Sequence, residues 1–352
     1  MIQLSFAHLH VHTEFSMLDG AARVRDLVSA AAADGQTALA VTDHGALYGA
    51  VDFHVAARRA GVKPIIGMEA YLTPGSRFDR PPRGQNVRYH LTILAENETG
   101  YRNLLRLASR AYLEGYYYKP RVDAALLAEH AEGLIATSGC LGGPVAQRLA
   151  PDANREEGNQ NLVRDFSAAL GAAGELQDIF GRDDFFIEVQ NHGLDVEHRI
   201  LPDLRAISER IRAPLLATND SHYTYRSEAE AHDVLLCIQT GTTVDDPGRL
   251  KFEGDSFYLK TAAEMRQLFP DDQFPGACDN TLWIAERAGL ELEFGRILLP
   301  HFPVPAGETE SSFLRHLVME GSAERYGSPL PLEAEERIQH ELKIIDDMGF
   351  PA

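Results

Sequence analysis

Short apolar segments alternate with amphipathic helical stretches along most of the chain, and this alternation restricts the possible folds more than any other feature. Seven segments resemble strands, and they are Leu4–His10, Ala38–Thr42, Lys63–Ala70, His90–Ala95, Leu134–Ser138, Phe185–Gln190 and Pro214–Thr218. Between them, apolar residues at three- and four-residue steps predict helices at Val24–Ala33, Tyr48–Ala60, Tyr101–Leu113, Asn161–Ile179 and His198–Ile211. Parallel strands joined by crossover helices produce this pattern. We therefore predict an α/β fold, a closed or nearly closed (β/α)7 barrel.

Beyond Tyr225 the pattern changes to helices alone. They are predicted at Glu228–Gln239, Ala262–Phe269, Asp279–Ala288, Ser311–Tyr326 and Leu332–Met348. We predict a barrel domain over residues 1–288, then a linker and a mainly helical region over residues 289–352. Prolines between Leu298 and Gly307 favour a linker there. The chain stops directly after its last predicted helix, which indicates a fragment of a longer protein.

Charge and cysteine content exclude several functional classes. The formal net charge of −19 excludes a surface that wraps duplex DNA by bulk electrostatics, since neutralising phosphates requires dense lysine and arginine. The three cysteines are widely spaced and odd in number, which favours a reducing compartment over a disulfide scaffold. The sequence shows no secretion signal and no apolar run of membrane length, so we predict a cytoplasmic protein without a membrane partner.

The first predicted strand carries histidines at alternate positions. His8, His10 and His12 would project from one face, where neighbouring imidazoles can bind one metal ion. Alone, this pattern also fits a half-exposed edge strand. Functional side chains of a barrel lie at the C-terminal ends of its strands, and more metal-binding side chains occur near those ends: Asp19, His44, Glu69, Cys140, Asp220 and His222. His90 begins its strand instead, so either the register differs there or the strand is distorted.

Nine side chains could therefore bind metal at this mouth. They would supply three divalent ions with about three ligands each and leave positions for water and substrate. The predicted groups are His10 with His12 and Asp220, then Glu69 with His90 and Cys140, then Asp19 with His44 and His222. Glu69 would bridge the first two groups. Imidazole and thiolate favour Zn²⁺, with Mn²⁺ or Fe²⁺ as alternatives, over magnesium and calcium.

Ions a few ångström apart suit phosphoester hydrolysis. One ion lowers the pKa of a bound water towards ~7, while another stabilises the leaving oxygen. Catalytic roles are predicted for His10, His12, Glu69, Asp220 and His222. The sequence contains no serine nucleophile elbow, phosphate-binding P-loop or dinucleotide fingerprint, which would indicate other chemistries.

Five other residues are predicted to support the site or contact the substrate: His8, Asp43, Asn191, His192 and Arg77. His8 would buttress the barrel base or the metal ligands, and Asp43 would accept a hydrogen bond and orient an imidazole. Asn191 and His192 follow the sixth strand, and from that position they could either bind substrate or cap a helix. Arg77 lies in the Pro74–Asn86 loop and would contact phosphate, unless that loop is simply solvated.

Aromatic and basic residues cluster at Tyr116–Arg121. A packed loop is the simpler interpretation of this cluster. The alternative is a platform on which bases and phosphates bind, since aromatic rings beside cations have this use in proteins that bind single strands.

Several of these motifs resemble one known family. The segments His8–His12, Thr42–Gly45, Gly67–Tyr71, Ser138–Leu141 and Ala217–His222 resemble the polymerase-and-histidinol-phosphatase (PHP) domain. Further segments resemble the PHP domain that opens the alpha subunits of bacterial replicative DNA polymerase III, and these are His90–Ala95, Thr99–Leu104, Lys119–Asp123 and His340–Pro351. The resemblance covers essentially the whole chain.

This resemblance implies a distorted seven-stranded β/α barrel with a trinuclear metal centre. In some members the centre supports a metal-dependent 3′-5′ exonuclease that proofreads DNA, and in others lost ligands leave a structural domain. All nine ligand positions hold metal-competent residues here, which favours a working site. The polymerase carboxylates would lie beyond Ala352, and residues from about Gly289 would begin the palm. Implied partners are a DNA 3′ end, the rest of the polymerase, the sliding clamp and other replisome subunits.

Two other functions are open at this point. The domain could be a catalytically silent, metal-stabilised scaffold for the polymerase. It could also be a free-standing PHP phosphatase that hydrolyses a small phosphomonoester. Segments after the barrel that resemble the polymerase argue against the second alternative.

Overall fold

The computed structural model describes residues 5–82, 84–151, 163–296 and 300–351. The chain divides into two compact units, Met1–Leu292 and Glu293–Ala352. Within the described ranges, no helix is both long enough and apolar enough to cross a bilayer. The α/β class predicted from the alternating pattern is confirmed by the first unit, whereas the assignment of a barrel domain and a palm region stays a prediction.

The first unit is built on a curled sheet. Its strands, within the described residues, are β1 (Ala38–Val41), β2 (Lys63–Leu72), β3 (Tyr89–Ala95), β4 (Arg121–Val122), β5 (Leu134–Thr137), β6 (Phe185–Val189) and β7 (Leu215–Ala217). The order is β1-β2-β3-β5-β6-β7, and β4 pairs with the end of β2. Six of these strands match predicted ones. The two-residue β4 is too short to produce a detectable pattern.

The N-terminal segment joins the two edges of the sheet. The backbone oxygen of His8 accepts a hydrogen bond from Ala40 in β1 (2.8 Å), and His12 donates to the oxygen of Ser221, just after β7 (2.8 Å). These contacts are isolated bridges, so the predicted strand Leu4–His10 is not continuous; its residue 4 lies outside the described residues. The segment nevertheless has a barrel strand's position.

Strand β3 runs opposite to its neighbours. It is antiparallel to both β2 and β5, with His90 opposite Tyr71 in β2. The prediction of parallel strands throughout is wrong here, because among the described residues between β2 and β3 there is no crossover helix. Reversal places the beginning of β3 beside the ends of the parallel strands. His90 therefore reaches the mouth without the shifted register or distortion that we expected.

Most helices pack on the outer face of the sheet, whereas Ile284 and Ala285 of the last helix of this unit pack with Phe186 on the other face. Those described are α1 (Val24–Ala33), α2 (Ala50–Ala60), α3 (Glu98–Leu113), α4 (Ala124–Glu129), α5 (Ala146–Leu149), α6 (Phe166–Phe180), α7 (Asp195–Ile211), α8 (Ala229–Thr240), α9 (Ala262–Leu268) and α10 (Asp279–Arg287). The predicted helix Val24–Ala33 is present with the same bounds, and the other predicted helices of this unit are present with shifted ends, although the predicted start of α6 lies outside the described residues. The short α4 and α5 were not predicted, because helices of four to six residues show no apolar period.

The two faces of the sheet have different contents. In β6, Phe185, Ile187 and Val189 pack in a large apolar cluster with the helices, whereas Phe186 belongs to a second cluster on the opposite face. Glu188 shares the face of Phe186, since side chains alternate along a strand. That face is apolar in its lower part and polar at the strand ends, where the candidate site lies.

The second unit contains α11 (Glu310–Tyr326) and α12 (Leu332–Asp347). Thr309 caps α11 by accepting a hydrogen bond from the backbone of Ser312 (3.1 Å). Arg315 in α11 donates to Gln339 in α12 (2.7 Å). The predicted helices Ser311–Tyr326 and Leu332–Met348 are present here, each with slightly shifted ends.

Candidate metal centre

All nine predicted ligands lie at one edge of the sheet. His10 and His12 belong to the N-terminal segment, and Asp19 follows in the next turn. The others sit at or just beyond strand ends: His44 after β1, Glu69 in β2, His90 at the start of β3, Cys140 after β5, and Asp220 and His222 after β7. Their side chains form one continuous set of contacts, with neighbouring donor atoms between 2.6 and 3.8 Å apart.

Glu69 is the central member of this set. Its carboxylate lies 3.2 Å from Nε2 of His10, 3.2 Å from Nε2 of His12, 2.8 Å from Nδ1 of His44 and 3.1 Å from Nδ1 of His90. Only 1% of the Glu69 side chain is exposed. A carboxylate that faces four imidazoles on two oxygens has the arrangement of a bridging ligand.

Three groups of donor atoms could each hold an ion. His10, His12 and Asp220 form the first, with both Nε2 atoms 3.2 Å from Oδ1 of Asp220. This composition matches the predicted first group. It is the most buried of the three.

The second group consists of His44, Glu69 and His90. Cys140 borders it, with Sγ 3.6 Å from Oε1 of Glu69 and 3.8 Å from Nδ1 of His90. Burial, followed by Glu69 and Asp220, raises the pKa of the Cys140 thiol to about 12. The thiol is therefore protonated at neutral pH, and ligation by Cys140 would require an ion to displace its proton.

The third group gathers around Asp19 and His222. Oδ2 of Asp19 lies 2.6 Å from Nε2 of His44 and 3.7 Å from Nε2 of His222. His12, His44 and His222 also form a set whose ligand atoms lie within 4.8 Å of one another. His44 thus offers one ring nitrogen to the second group and the other to the third.

Several buried atoms at the centre have no hydrogen-bond partner in the part of the chain that the structure describes. They are Nε2 of His10, Nε2 of His12, Nδ1 of His44, Oε2 of Glu69 and Oδ1 of Asp220. They lie 2.8 to 3.2 Å from one another where they meet. Ligands of a tetrahedral zinc ion with bonds of ~2.0–2.1 Å are about 3.3 Å apart. The residues present therefore fit a bound metal ion.

The orientation of the imidazoles supports the same conclusion. Nδ1 of His10 donates to Glu188 (2.7 Å), Nδ1 of His12 to Ser16 (2.8 Å), and Nδ1 of His222 to the backbone oxygen of Asp220 (2.8 Å). Each ring is thereby held in the tautomer that aims the lone pair of Nε2 at the centre. Metal-binding histidines are almost always oriented through their second nitrogen in this way.

Charge at the centre also suits cation binding. Burial raises the pKa of the Glu69 carboxyl, but His90, His44 and His10 outweigh it and hold this pKa well below its usual value. The pKa of Asp220 is likewise lowered, because neighbouring imidazoles outweigh burial. Burial lowers the pKa of His10, but the carboxylates of Asp220, Glu188 and Glu69 outweigh it and raise this pKa. Protons therefore compete with ions for the imidazoles, and ion binding must release them.

Glu188 is a functional residue that the sequence analysis missed. Besides His10, its carboxylate accepts hydrogen bonds from Thr218 (2.5 Å), Gln190 (2.9 Å) and the Thr137 hydroxyl. The signal was available, because Glu188 is the one charged residue in the apolar strand Phe185–Val189. A buried acid in such a strand requires partners, and here one partner is a candidate ligand.

We expect Glu188→Gln to weaken zinc binding about tenfold, since an amide accepts the His10 proton less strongly than a carboxylate does. Affinity would be measured by competition with a chromophoric chelator. Glu175→Gln, an exposed change in α6, serves as the matched control. An affinity equal to that of the unchanged chain would show that Glu188 does not tune His10.

Asp43 takes the predicted orienting role through an intermediary. Its carboxylate accepts hydrogen bonds from Thr13 (2.7 Å to the backbone nitrogen) and from the hydroxyl of Ser16 (2.7 Å). Ser16 in turn accepts the Nδ1 proton of His12. Ser16 was not predicted, because a serine four residues from a histidine gives no distinctive pattern.

The backbone at Asp220 is in the left-handed region, with φ of 43°. Aspartate tolerates this conformation better than most residues, yet it remains strained. Hydrogen bonds hold the flanking backbone: Ser221 contacts the N-terminal segment, and His222 donates to Phe257 (2.8 Å). The strain turns the Asp220 carboxylate towards His10 and His12.

The remaining predicted residues lie outside the ligand set. Nε2 of His8 contacts the backbone oxygen of Lys260 (2.8 Å), and the ring is fully buried, consistent with a buttress. His192 contacts Glu197 (2.5 Å) and stacks on Phe257, and Asn191 accepts from the backbone of Gly193 (3.2 Å). These contacts are structural; a direct role with substrate stays a prediction.

Arg77 is held by two carboxylates. Its guanidinium contacts Glu114 (2.6 Å) and Asp123 (3.0 Å), and 8% of its side chain is exposed. These partners occupy the donors that a phosphate contact would need. The structure therefore gives Arg77 the role of anchoring its loop to the end of α3 and to α4.

Access to the centre is one-sided. Between 11% and 15% of the side chains of Asp19, His44, His90 and Asp220 is exposed, against 1% or less for His10 and His12. A substrate would therefore approach over the four partly exposed side chains. The two deepest histidines are shielded from it.

The chain is similar to known proteins over most of its length. A family model described as the PHP domain matches residues 8–192. The chain is 45% identical over 364 residues to DNA polymerase III subunit alpha of Mycobacterium tuberculosis, covering 99% of this chain and 30% of that protein. The subunit of the same name from Thermus aquaticus is 46% identical over 333 residues, covering 92% and 26%.

Among solved structures, a two-domain protein from Bacteroides vulgatus containing a predicted PHP-like metal-dependent phosphoesterase matches with a TM-score of 0.36 and 15% identity. The match covers 68% of this chain and 56% of the Bacteroides vulgatus chain. The chain spans about 30% of the length of the relatives named above. Because the family model covers more than half of the chain and includes seven of the nine candidate ligands, this chain belongs to the PHP domain family.

Proposed function

We propose that this chain is the PHP domain of a DNA polymerase III alpha subunit and that its centre hydrolyses the 3′-terminal phosphodiester of DNA. The observation that carries the proposal is the gathering of nine potential ligands at one edge of the sheet, where four imidazoles face the Glu69 carboxylate. Whole-chain similarity to alpha subunits supports the assignment to a polymerase. Removal of misincorporated nucleotides would be the biological role.

Three divalent ions fit the three groups of ligands, with Zn²⁺ preferred and Mn²⁺ or Fe²⁺ as alternatives. Imidazoles outnumber carboxylates in the set, and one thiol is present, which favours these ions over magnesium and calcium. His44 could belong to the group of Glu69 or to that of Asp19, because its two nitrogens face both. Bound ions would activate water and neutralise charge on the phosphoryl oxygens.

The residues of the chain have distinct tasks in this mechanism. Glu69, Asp19 and Asp220 are ionised, so their negative charge would help to hold cations at the centre. Glu188 and Ser16 hold His10 and His12 in position. The neutral thiol of Cys140 is a weak nucleophile. These properties favour attack by water over a covalent intermediate.

The proposal extends to the longer protein. Helices α11 and α12 would begin the palm, and the polymerase carboxylates would lie in the part of the relatives that this chain does not span. DNA would be held mainly by that part, in keeping with the net charge of −19. Contacts with the sliding clamp and other replisome subunits would likewise require the longer protein.

Digestion of a 5′-labelled single strand and of a primer with a mismatched 3′ end tests the proposal. With zinc or manganese, we expect stepwise shortening from the 3′ end. Asp220→Ala and His222→Ala should each reduce the rate at least about a thousandfold while retaining the fold, because each removes an ion ligand. Asp26→Ala, an exposed change in α1, is the control.

The alternatives predict other outcomes. Bound metal without cleavage of any substrate would indicate a structural centre. Faster hydrolysis of a small phosphomonoester than of the oligonucleotide would indicate a phosphatase. Full activity in both variants would remove the three-ion centre.

A further inference from the structure

Four exposed tyrosines form a surface feature that the metal centre does not explain. We call Tyr48, Tyr112, Tyr116 and Tyr118 the tyrosine patch; their exposed fractions are 61%, 39%, 54% and 59%. The rings of Tyr112 and Tyr116 stack, with centroids 6.0 Å apart and planes 21° apart. Tyr48 is hydrogen-bonded to Tyr112 and therefore lies beside the stacked pair; burial and then this hydrogen bond raise the pKa of Tyr112.

Packing of the surrounding loop explains only some of its aromatic and basic residues. Tyr117 donates to the backbone oxygen of Pro81 (2.8 Å), and the buried Arg121 donates to that of Gly115 (2.9 Å). A Cβ on Gly115 would lie 2.0 Å from the backbone oxygen of Arg121, so the loop is tightly folded. This folding accounts for Tyr117 and Arg121 and leaves the patch rings exposed.

The patch adjoins the metal centre through shared residues. Nζ of Lys119 lies 5.2 Å from the ring centroid of Tyr71, and that ring stacks against His44, with centroids 5.6 Å apart. A Cβ on Gly45 would lie 2.8 Å from Cγ of Pro120, so the loop that follows His44 packs directly on the segment bearing Lys119. The same loop leads to Tyr48.

The composition of this surface indicates which ligand it would bind. Exposed tyrosine rings can stack on bases regardless of sequence, because every base has a π-face. Lys119 is half-buried and forms no ion pair with another described residue, so its charge is available to a phosphate. Positive charge that could contact the backbone of a nucleic acid is scarce in a chain of net charge −19. One lysine beside the mouth therefore favours a single strand over a duplex.

We propose that the tyrosine patch binds the bases of a single-stranded nucleic acid whose 3′ end enters the metal centre, with Lys119 contacting its backbone. This inference rests on the proposed function and names the surface that selects an unpaired end. A small phosphomonoester would reach the centre without touching the patch. The patch therefore affects binding of oligonucleotides and leaves the hydrolysis of small esters unchanged.

Binding of a fluorescein-labelled oligothymidylate of about 12 nucleotides tests the inference by fluorescence anisotropy, with the manganese-loaded chain. Replacing Tyr116 and Tyr118 together by leucine should raise the dissociation constant about tenfold, because stacking is lost. The matched pair Tyr116→Phe and Tyr118→Phe retains the rings and should remain within about twofold of the unchanged chain. Hydrolysis of bis(p-nitrophenyl) phosphate, a small diester without a base, is the second readout.

The outcomes separate this inference from the proposed function. Binding by the unchanged chain that is weakened in the leucine pair supports the patch, even when no strand is cleaved and the proposed exonuclease fails. Equal binding by the leucine pair and the unchanged chain overturns the patch. The patch is also overturned if the unchanged chain does not bind the oligonucleotide. It is overturned as well if the leucine pair loses ester hydrolysis along with binding.

Discussion

Replacing Glu69 by glutamine is expected to abolish hydrolysis and to cause loss of the bound metal, because this carboxylate contacts four of the five candidate imidazole ligands. An amide has one neutral acceptor oxygen where the carboxylate has two charged ones. Both Glu69 oxygens lie 2.8 to 3.2 Å from imidazole nitrogens, so the change affects two ligand groups together. We expect metal affinity to fall at least about a hundredfold and the rate at least about a thousandfold.

The measurement combines metal content with the rate on a 5′-labelled strand. Glu98→Gln is the matched control, since 70% of its side chain is exposed and its ion pair with Arg102 is a surface pair. Circular dichroism of the Glu69 variant should show a folded chain. A Glu69→Gln chain that retains its metal and its rate would contradict the bridging role of this carboxylate.

Removal of the metal should lower the melting temperature of the first unit by about 8 °C for each tightly bound ion. An ion present at ~1,000 times its dissociation constant stabilises the folded state by about 4 kcal/mol. One kcal/mol corresponds to roughly 2 °C in a large domain. The apo chain should remain folded, because carboxylates and imidazoles at the centre pair with one another.

Thermal unfolding with and without a chelator measures this effect. Added zinc should restore the original melting temperature. The Glu69→Gln chain should respond much less to the chelator, and this difference separates the centre from adventitious surface sites. Identical melting curves for the chelated and metal-loaded chain would show that ions do not stabilise this fold.

The general fold could be predicted from periodicity, whereas strand direction could not. Apolar runs and helical repeats located six of the seven strands of the described sheet and the long helices. Periodicity is the same for parallel and antiparallel strands, so the reversal of β3 was not predicted. The missing helix between β2 and β3 was the available signal, because a parallel connection needs a crossover of a dozen or more residues, usually helical.

The candidate ligands could be predicted because imidazole, carboxylate and thiol side chains at strand ends have few other uses. Their supports could not, because orienting residues such as Ser16 are common and act through tertiary contacts. His44 shows the limit of grouping ligands by sequence: it was assigned to the group of Asp19, yet its ring also lies 2.8 Å from Glu69. Distances across the barrel mouth decide such assignments.

Elemental analysis of the purified chain, beside the Glu69→Gln variant, tests the existence of the metal centre most directly. The account predicts two to three equivalents of zinc, manganese or iron per chain, since about three ligands are available for each ion. It also predicts that the variant loses most of this metal. Less than about one equivalent in the unchanged chain after equilibration with these ions, or equal content in both chains, would contradict the proposed centre.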